Sequence, residues 1–275
     1  MDWILAYRTD FLTEFFLLFP HLVSASFFIF VIAIGYWGFN RDFYRDLGVM
    51  ICLSTLVNVF LKMFFKIPRP DILALINVSD PLGFPSGDVM VATVFWLMLA
   101  FNYHRFWLWG LSIIMIILVM CSRMYLGVHS YYDVSAGAGL GMILTWLYFS
   151  LKAKPYMSSK LMHLLGFVFV LFISNWVFAI GYRFLLIAYG FLLGIMVADI
   201  IKLKWPLNPA FINYRYAYIF FGIFGLFVLR SGMRYIPNIG SDEMNIVVTN
   251  MFIGIALIWA FPKIMDVILI RMKKL

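Results

Sequence analysis

Nine mostly apolar stretches, each close to the length of a bilayer-crossing helix, follow one another between residues 22 and 262. They run roughly over 22–39, 46–65, 87–103, 106–122, 133–151, 161–179, 184–202, 216–233 and 245–262. About 20 apolar residues in a helix cross the hydrocarbon core of a membrane. In that core each backbone N–H and C=O must find a partner without water, which a helix provides within its own segment. The chain is 64% hydrophobic and only 12% charged over 275 residues, more apolar surface than a soluble domain of this length can hide. The expected fold is all-α: a polytopic integral membrane bundle of about eight to nine spans.

The segment before the first span behaves differently. From Trp3 to Phe19 it is interrupted by Arg8, Asp10 and Glu14, while Phe11, Leu12, Phe15, Phe16 and Phe19 recur at helical spacing. Residues 1–20 therefore read as an amphipathic helix lying in the membrane interface. The N-terminus has no basic region followed by an apolar stretch and a small-residue cleavage site, so no cleaved signal peptide is expected. Cys52 and Cys121 lie inside apolar runs and read as buried free thiols.

Charge sets the orientation. The connections after the first, third, fifth and seventh spans carry Arg41 and Arg45, then Arg105, then Lys152, Lys154 and Lys160, then Lys202, Lys204 and Arg215; the tail adds Lys263, Arg271, Lys273 and Lys274. The positive-inside rule places these in the cytoplasm and turns the alternate connections outward. The net charge of +8 is thus explained by basic cytoplasmic loops rather than by nucleic acid. Basic residues also occur on the outer side, against this bias: Lys62, Lys66, Arg69, Arg123, Arg183, Arg230 and Arg234. The first four of them, Lys62, Lys66, Arg69 and Arg123, belong to short polar clusters.

Those clusters are Lys62-x6-Arg69-Pro70, Pro85-Ser86-Gly87-Asp88 and Ser122-Arg123-x5-His129-x3-Asp133. Each sits at the outer edge of an apolar stretch, where ionised groups are costly and usually functional. Phosphoryl transfer spreads negative charge over three oxygens, which fixed cations and backbone donors can bind. Lys62, Arg69 and Arg123 supply the cations, the arginines with forked geometry that matches phosphate. Ser86 and Gly87 stand where a helix begins, so a hydroxyl and free N–H groups add to that anion site. His129 has the chemistry of a nucleophile that forms a phosphohistidine. Asp133, one helical turn on, can hold the far ring nitrogen and fix the tautomer.

Together the clusters resemble the signature of the type-2 phosphatidic acid phosphatase superfamily, which includes lipid phosphate phosphatases, glucose-6-phosphatase and vanadium haloperoxidases. The first and third clusters match in full, and the likeness covers roughly residues 45–150. It implies a phosphatase-like membrane core over 21–152, with 153–275 as additional C-terminal spans. It also implies hydrolysis of a lipid phosphate or diphosphate, of polyprenyl diphosphate, phosphatidate or phosphatidylglycerophosphate type, without metal or other cofactor. The setting implied is the inner membrane of a bacterium, with the active site facing outward. One residue departs from the pattern: the family's second cluster ends in a histidine that protonates the leaving group, and Asp88 stands there instead. An aspartate does that work only when protonated, and an ionised one repels phosphate. Asp88 is then a working acid, a weakening of turnover, or the mark of a leaving group that needs little protonation, such as a diphosphate. Two alternative functions follow: a phosphotransferase that passes the phosphoryl group to a lipid acceptor, or a silent lipid-phosphate binding or transport protein.

Other polar features read as structural. Ala136-Gly137-Ala138-Gly139-Leu140-Gly141 suits close helix packing better than phosphate binding, lacking the strand–loop–helix setting of a nucleotide loop. Asp199 lies near Lys202 and reads as one half of an ion pair, and His21, His104 and His163 as interfacial residues. The bilayer and a lipid phosphate are the expected partners; oligomeric state is not specified.

Overall fold

The computed structural model describes residues 7–70, 74–77, 80–152, 174–207, 214–232 and 240–272. They form α1 (Asp10–Leu17), α2 (Phe19–Leu22), α3 (Ala25–Gly38), α4 (Arg41–Phe65), α5 (Gly87–Tyr103), α6 (Phe106–Tyr125) and α7 (Tyr131–Lys152). After these come α8 (Ser174–Ile180), α9 (Arg183–Lys204), α10 (Arg215–Gly232), α11 (Asp242–Ile255), a π-helical turn (Ala256–Ala260) and α12 (Phe261–Met272). Among the described residues the only extended pairing is an isolated bridge between Pro68 and Leu82. The protein is an all-helical integral membrane protein.

Among the described residues five helices are long and apolar enough to cross a membrane: α4, α6, α7, α9 and the continuous run Asp242–Leu269. A sixth arises if Asp10–Leu22 and Ala25–Gly38, bent by 57° at their junction, count as one span. Helix α5 has 17 residues, and α10 carries Arg215 and Arg230 near its two ends; neither is in that set. The expected span at 161–179 falls mostly outside the described residues, as do His163, Lys154, Lys160, Arg234, Lys273 and Lys274.

The chain divides into two compact units. The first comprises Met1–Phe27 with Leu53–Met157, and the second comprises Phe28–Cys52 with Ser158–Leu275. In the first unit α5 packs on α6 and α7. Its apolar residues Val89, Met90, Val94 and Met98 are all fully buried. The small-residue run of α7 makes this contact close. A Cβ at Gly137 would meet the Ser86 carbonyl at 2.5 Å, and one at Gly141 would meet the Met90 carbonyl at 2.8 Å. That is helix packing, as the sequence suggested. Helix α1 lays Leu12 and Phe16 against Tyr125, Leu126 and Val128, while Phe11 stays exposed. Arg8 Nη2 donates to the Tyr125 carbonyl (3.1 Å), and the Ser122 hydroxyl to the Phe16 carbonyl (3.0 Å).

In the second unit α9 and α11 approach backbone to backbone, because Gly190 and Gly194 lie against Val247, Met251 and Gly254. The π-helical turn leaves carbonyls that a regular helix would use. Tyr36 OH donates to the Ile258 carbonyl and Trp37 Nε1 to the Leu257 carbonyl, both at 2.9 Å. Asp199 pairs with Lys202 at 3.5 Å, as read from the sequence, and also with Arg45 at 3.8 Å. Cys52 and Cys121 are free thiols, the former buried.

Candidate active site

All three polar clusters lie in the first unit, at helix ends and in the connections that join them. Lys62 occupies the last turn of α4 and is 2% exposed. Beyond Lys66, whose φ of +53° turns the chain, residues 67–69 run against 81–83. The Gly83 N–H donates to the Ile67 carbonyl (2.9 Å) and the Arg69 N–H to the Pro81 carbonyl (3.2 Å). This places Arg69 over the start of the second cluster. Ser86 caps α5 in extended geometry, and its N–H donates to the Asp133 carbonyl (3.0 Å), tying α5 to α7. Asn58 Nδ2 donates to the Pro85 carbonyl (3.0 Å) from α4.

The third cluster straddles the α6–α7 connection. Arg123 lies in the last turn of α6, and Gly127 takes φ +77°, a left-handed turn that glycine adopts without steric cost. His129 then sits in the connection, 3% exposed. Ser130 and Asp133 form a reciprocal cap on α7: the Ser130 N–H donates to Asp133 Oδ2 (2.6 Å), and the Asp133 N–H to Ser130 Oγ (3.2 Å). Asp133 is thereby fixed with the same oxygen 3.6 Å from His129 Nδ1, a carboxylate–imidazole contact slightly longer than a hydrogen bond.

The other ring nitrogen faces Arg69. Arg69 Nη1 lies 3.2 Å from His129 Nε2 and also donates to the Val128 carbonyl (2.8 Å). A guanidinium only donates, so Nε2 must offer its lone pair and the proton belongs on Nδ1, toward Asp133. That is the tautomer a nucleophilic Nε2 requires. Burial holds the His129 ring below the ordinary histidine range. The Asp133 contact opposes this, while the Arg69 and Lys62 charges add to it. The ring is therefore neutral at neutral pH.

Arg123 is 3% exposed and its Nη1 reaches Asp88 Oδ2 at 3.1 Å, while the Asp88 side chain is 41% exposed. Arg123 Nε and Nη2 and the Ser86 hydroxyl are buried without a hydrogen-bond partner. Buried donors left unpaired are costly, and an anion is what would satisfy them. Gly87 opens α5, whose first N–H groups have no partner within the helix. A Cβ at Gly87 would meet Asn58 Oδ1 at 2.8 Å, so the position is also tight.

Two residues of this arrangement, Ser130 and Asp80, were not expected from the sequence. Asp80, 4% exposed, lies between the first two clusters and is joined to the first. Its Oδ2 accepts from Lys62 Nζ at 2.5 Å and lies 3.7 Å from Arg69 Nη2. Its carbonyl accepts from Arg69 Nε (2.7 Å). Three carboxylates, Asp80, Asp88 and Asp133, thus accompany the cations Lys62, Arg69 and Arg123. The excess of cations suggested by the clusters alone is cancelled.

The three clusters fall in the part of the chain that is similar to known proteins. The PAP2 superfamily matches residues 43–156, a range that contains all three clusters. Phosphatidylglycerophosphatase B of Bacillus subtilis (strain 168) is 31% identical over 140 residues, 46% of this chain and 68% of that protein. Lipid phosphate phosphatase gamma of Arabidopsis thaliana is 31% identical over 109 residues, 34% of this chain and 46% of that protein. Among solved structures, the transmembrane PAP2-type phosphatidylglycerolphosphate phosphatase from Bacillus subtilis is 26% identical. It aligns with a TM-score of 0.50 over 56% of this chain and 84% of its own. With the three clusters gathered around one imidazole and this extent of shared sequence, the chain belongs to the PAP2 superfamily.

Proposed function

We propose that this protein hydrolyses a lipid phosphate or diphosphate at the extracytoplasmic face of a bacterial inner membrane, through a phosphohistidine on His129. The observation that carries this is the neutral, buried imidazole, with Nε2 beside Arg69, Nδ1 toward Asp133, and the unpaired donors of Arg123 and Ser86 in the same unit. Membership of the PAP2 superfamily and the names of its relatives support the same class.

Nε2 attacks phosphorus, the bond from phosphorus to the leaving oxygen breaks, and that oxygen keeps the electron pair. Water then attacks the phosphohistidine, and the P–N bond electrons return to Nε2 as inorganic phosphate leaves. Lys62, Arg69, Arg123, the Ser86 hydroxyl and the Gly87 N–H bind the phosphoryl oxygens. Asp133 stabilises the cationic ring while the phosphoryl group is attached. An alkoxide leaving group needs a proton, and Asp88 stands where that acid belongs. It is paired with Arg123, an arrangement that suits a diphosphate, whose phosphate leaving group needs little protonation.

Phosphate release by purified protein from phosphatidate, phosphatidylglycerophosphate and polyprenyl diphosphate tests the reading. Release without added acceptor is expected. Release only with an acceptor lipid would make the protein a transferase. Binding with no release would make it a silent lipid-phosphate protein.

The outward orientation rests on the charge bias and has its own test. In a variant lacking Cys52 and Cys121, Asn77→Cys lies on the site side of α5 and His104→Cys at the helix's opposite end, both at exposed positions. A membrane-impermeant thiol reagent is expected to label the first in intact cells and not the second. The reverse pattern places the chemistry in the cytoplasm. Position 78, in the connection that holds Asn77, and position 156, beyond α7, would serve the same test but lie outside the described residues.

A further inference from the structure

Lys62 and Asp80 are 2% and 4% exposed, so water does little to support the charge of either. Lys62 Nζ donates to Asp80 Oδ2 and to the Leu82 carbonyl, each at 2.5 Å, which leaves one ammonium proton for a further acceptor. The Asp80 carboxylate is itself pinned, because Oδ1 accepts from the Leu82 N–H (2.9 Å). The same residue takes Arg69 Nε on its carbonyl and holds Arg69 Nη2 near Oδ2. A carboxylate repels phosphate, so Asp80 has no use as a phosphate ligand. Its use is to the two cations.

We propose that Asp80 is a positioning residue of the phosphate site: the counter-ion that keeps Lys62 charged and aimed, and that fixes Arg69 beside it. The proposal rests on the phosphatase reading above. The other charged or titratable groups acting on Lys62 are Arg69 from the same connection, Asp88 from α5 and His129 from the α6–α7 connection. Of the two carboxylates, Asp80 makes the hydrogen bond. Removing one partner of a buried pair leaves an uncompensated charge, and a lysine relieves it by giving up its proton. A neutral amine then binds phosphate poorly, and acid restores it.

The readout is the ratio of Asp80→Asn to wild-type kcat/KM for a short-chain phosphatidate in detergent micelles, across about pH 5.5 to 8.5. Taking a ratio cancels the titration of the substrate and of His129. The ratio is expected to be within about threefold of unity at the acid end and to fall by about tenfold or more toward the alkaline end. In a Lys62→Arg background the ratio should be flat, because a guanidinium stays charged. A flat ratio with Lys62 present, or an equal slope with Arg at 62, overturns the proposal. Inorganic phosphate binding gives the same ratio without turnover, so failure of the wild type to release phosphate sinks the phosphatase reading alone. If Asp80→Asn does not fold, Lys62→Met with Asp80→Asn should restore folding, because the unpaired charge is gone. A double variant that also fails to fold would make Asp80 a residue of the connection itself and contradict the proposal.

Discussion

His129→Ala is expected to bring turnover of every lipid phosphate to background, a loss of more than about 10³-fold, with the protein still folded. The ring lies in a connection rather than in a helix, so its loss leaves the α5–α6–α7 packing in place. A variant that retains more than a few per cent of activity would remove His129 from the nucleophile's role. Asp133→Asn should cost less, because it misorients the ring without deleting it and an amide oxygen can still accept from the Ser130 N–H. The neutral ring also sets the pH profile. Burial lowers its proton affinity, so the ring remains a nucleophile below the ordinary histidine pKa of about 6.5, and the acid limb of kcat/KM should lie below that value. An acid limb well above it would contradict the burial argument.

Asp88→His is expected to raise monoester turnover by about 10²–10⁴-fold, the usual worth of a general acid. The Arg123–Asp88 contact at 3.1 Å is the reason: the carboxylate occupies Arg123 Nη1 as an ion-pair partner instead of offering a proton donor to the leaving group. Histidine at 88 supplies a proton donor and leaves Arg123 Nη1 for phosphate. Asp88→Asn separates the remaining readings. It should cost little if Asp88 is an ionised bystander and abolish turnover if Asp88 is a working acid. A greater loss on phosphatidate than on polyprenyl diphosphate would mark a leaving group that needs little protonation. Equal losses on both would rule out the diphosphate preference.

The architecture was legible because the apolar runs leave the backbone no option but helices, and the packing use of Gly137 and Gly141 could be read from their company of small residues. The cluster residues also meet as their spacing implied: Arg69 touches His129, Asp133 faces it, and Arg123 pairs with Asp88. Asp80 was hidden for a physical reason. Asp80-Pro81-Leu82-Gly83 has the composition of a turn, and Asp80 does form one through Oδ1 and the Leu82 N–H. Nothing local reveals that its second oxygen reaches a lysine 18 residues earlier. Ser130 was within reach, since Ser-x-x-Asp before an apolar run is a helix-capping pattern. Reading Asp133 only as a partner of His129 concealed it. The docking of α1 on Tyr125 joins Thr13 to a residue 112 positions away, which no periodicity reports.

Phosphoryl transfer to His129 can be observed by rapid acid-free quenching of the protein with a ³²P-labelled lipid phosphate. An acid-labile, base-stable label is expected on the peptide that contains His129, lost in His129→Ala and chased by water at the rate of phosphate release. Turnover without such a label, or a label on a carboxylate, would contradict it.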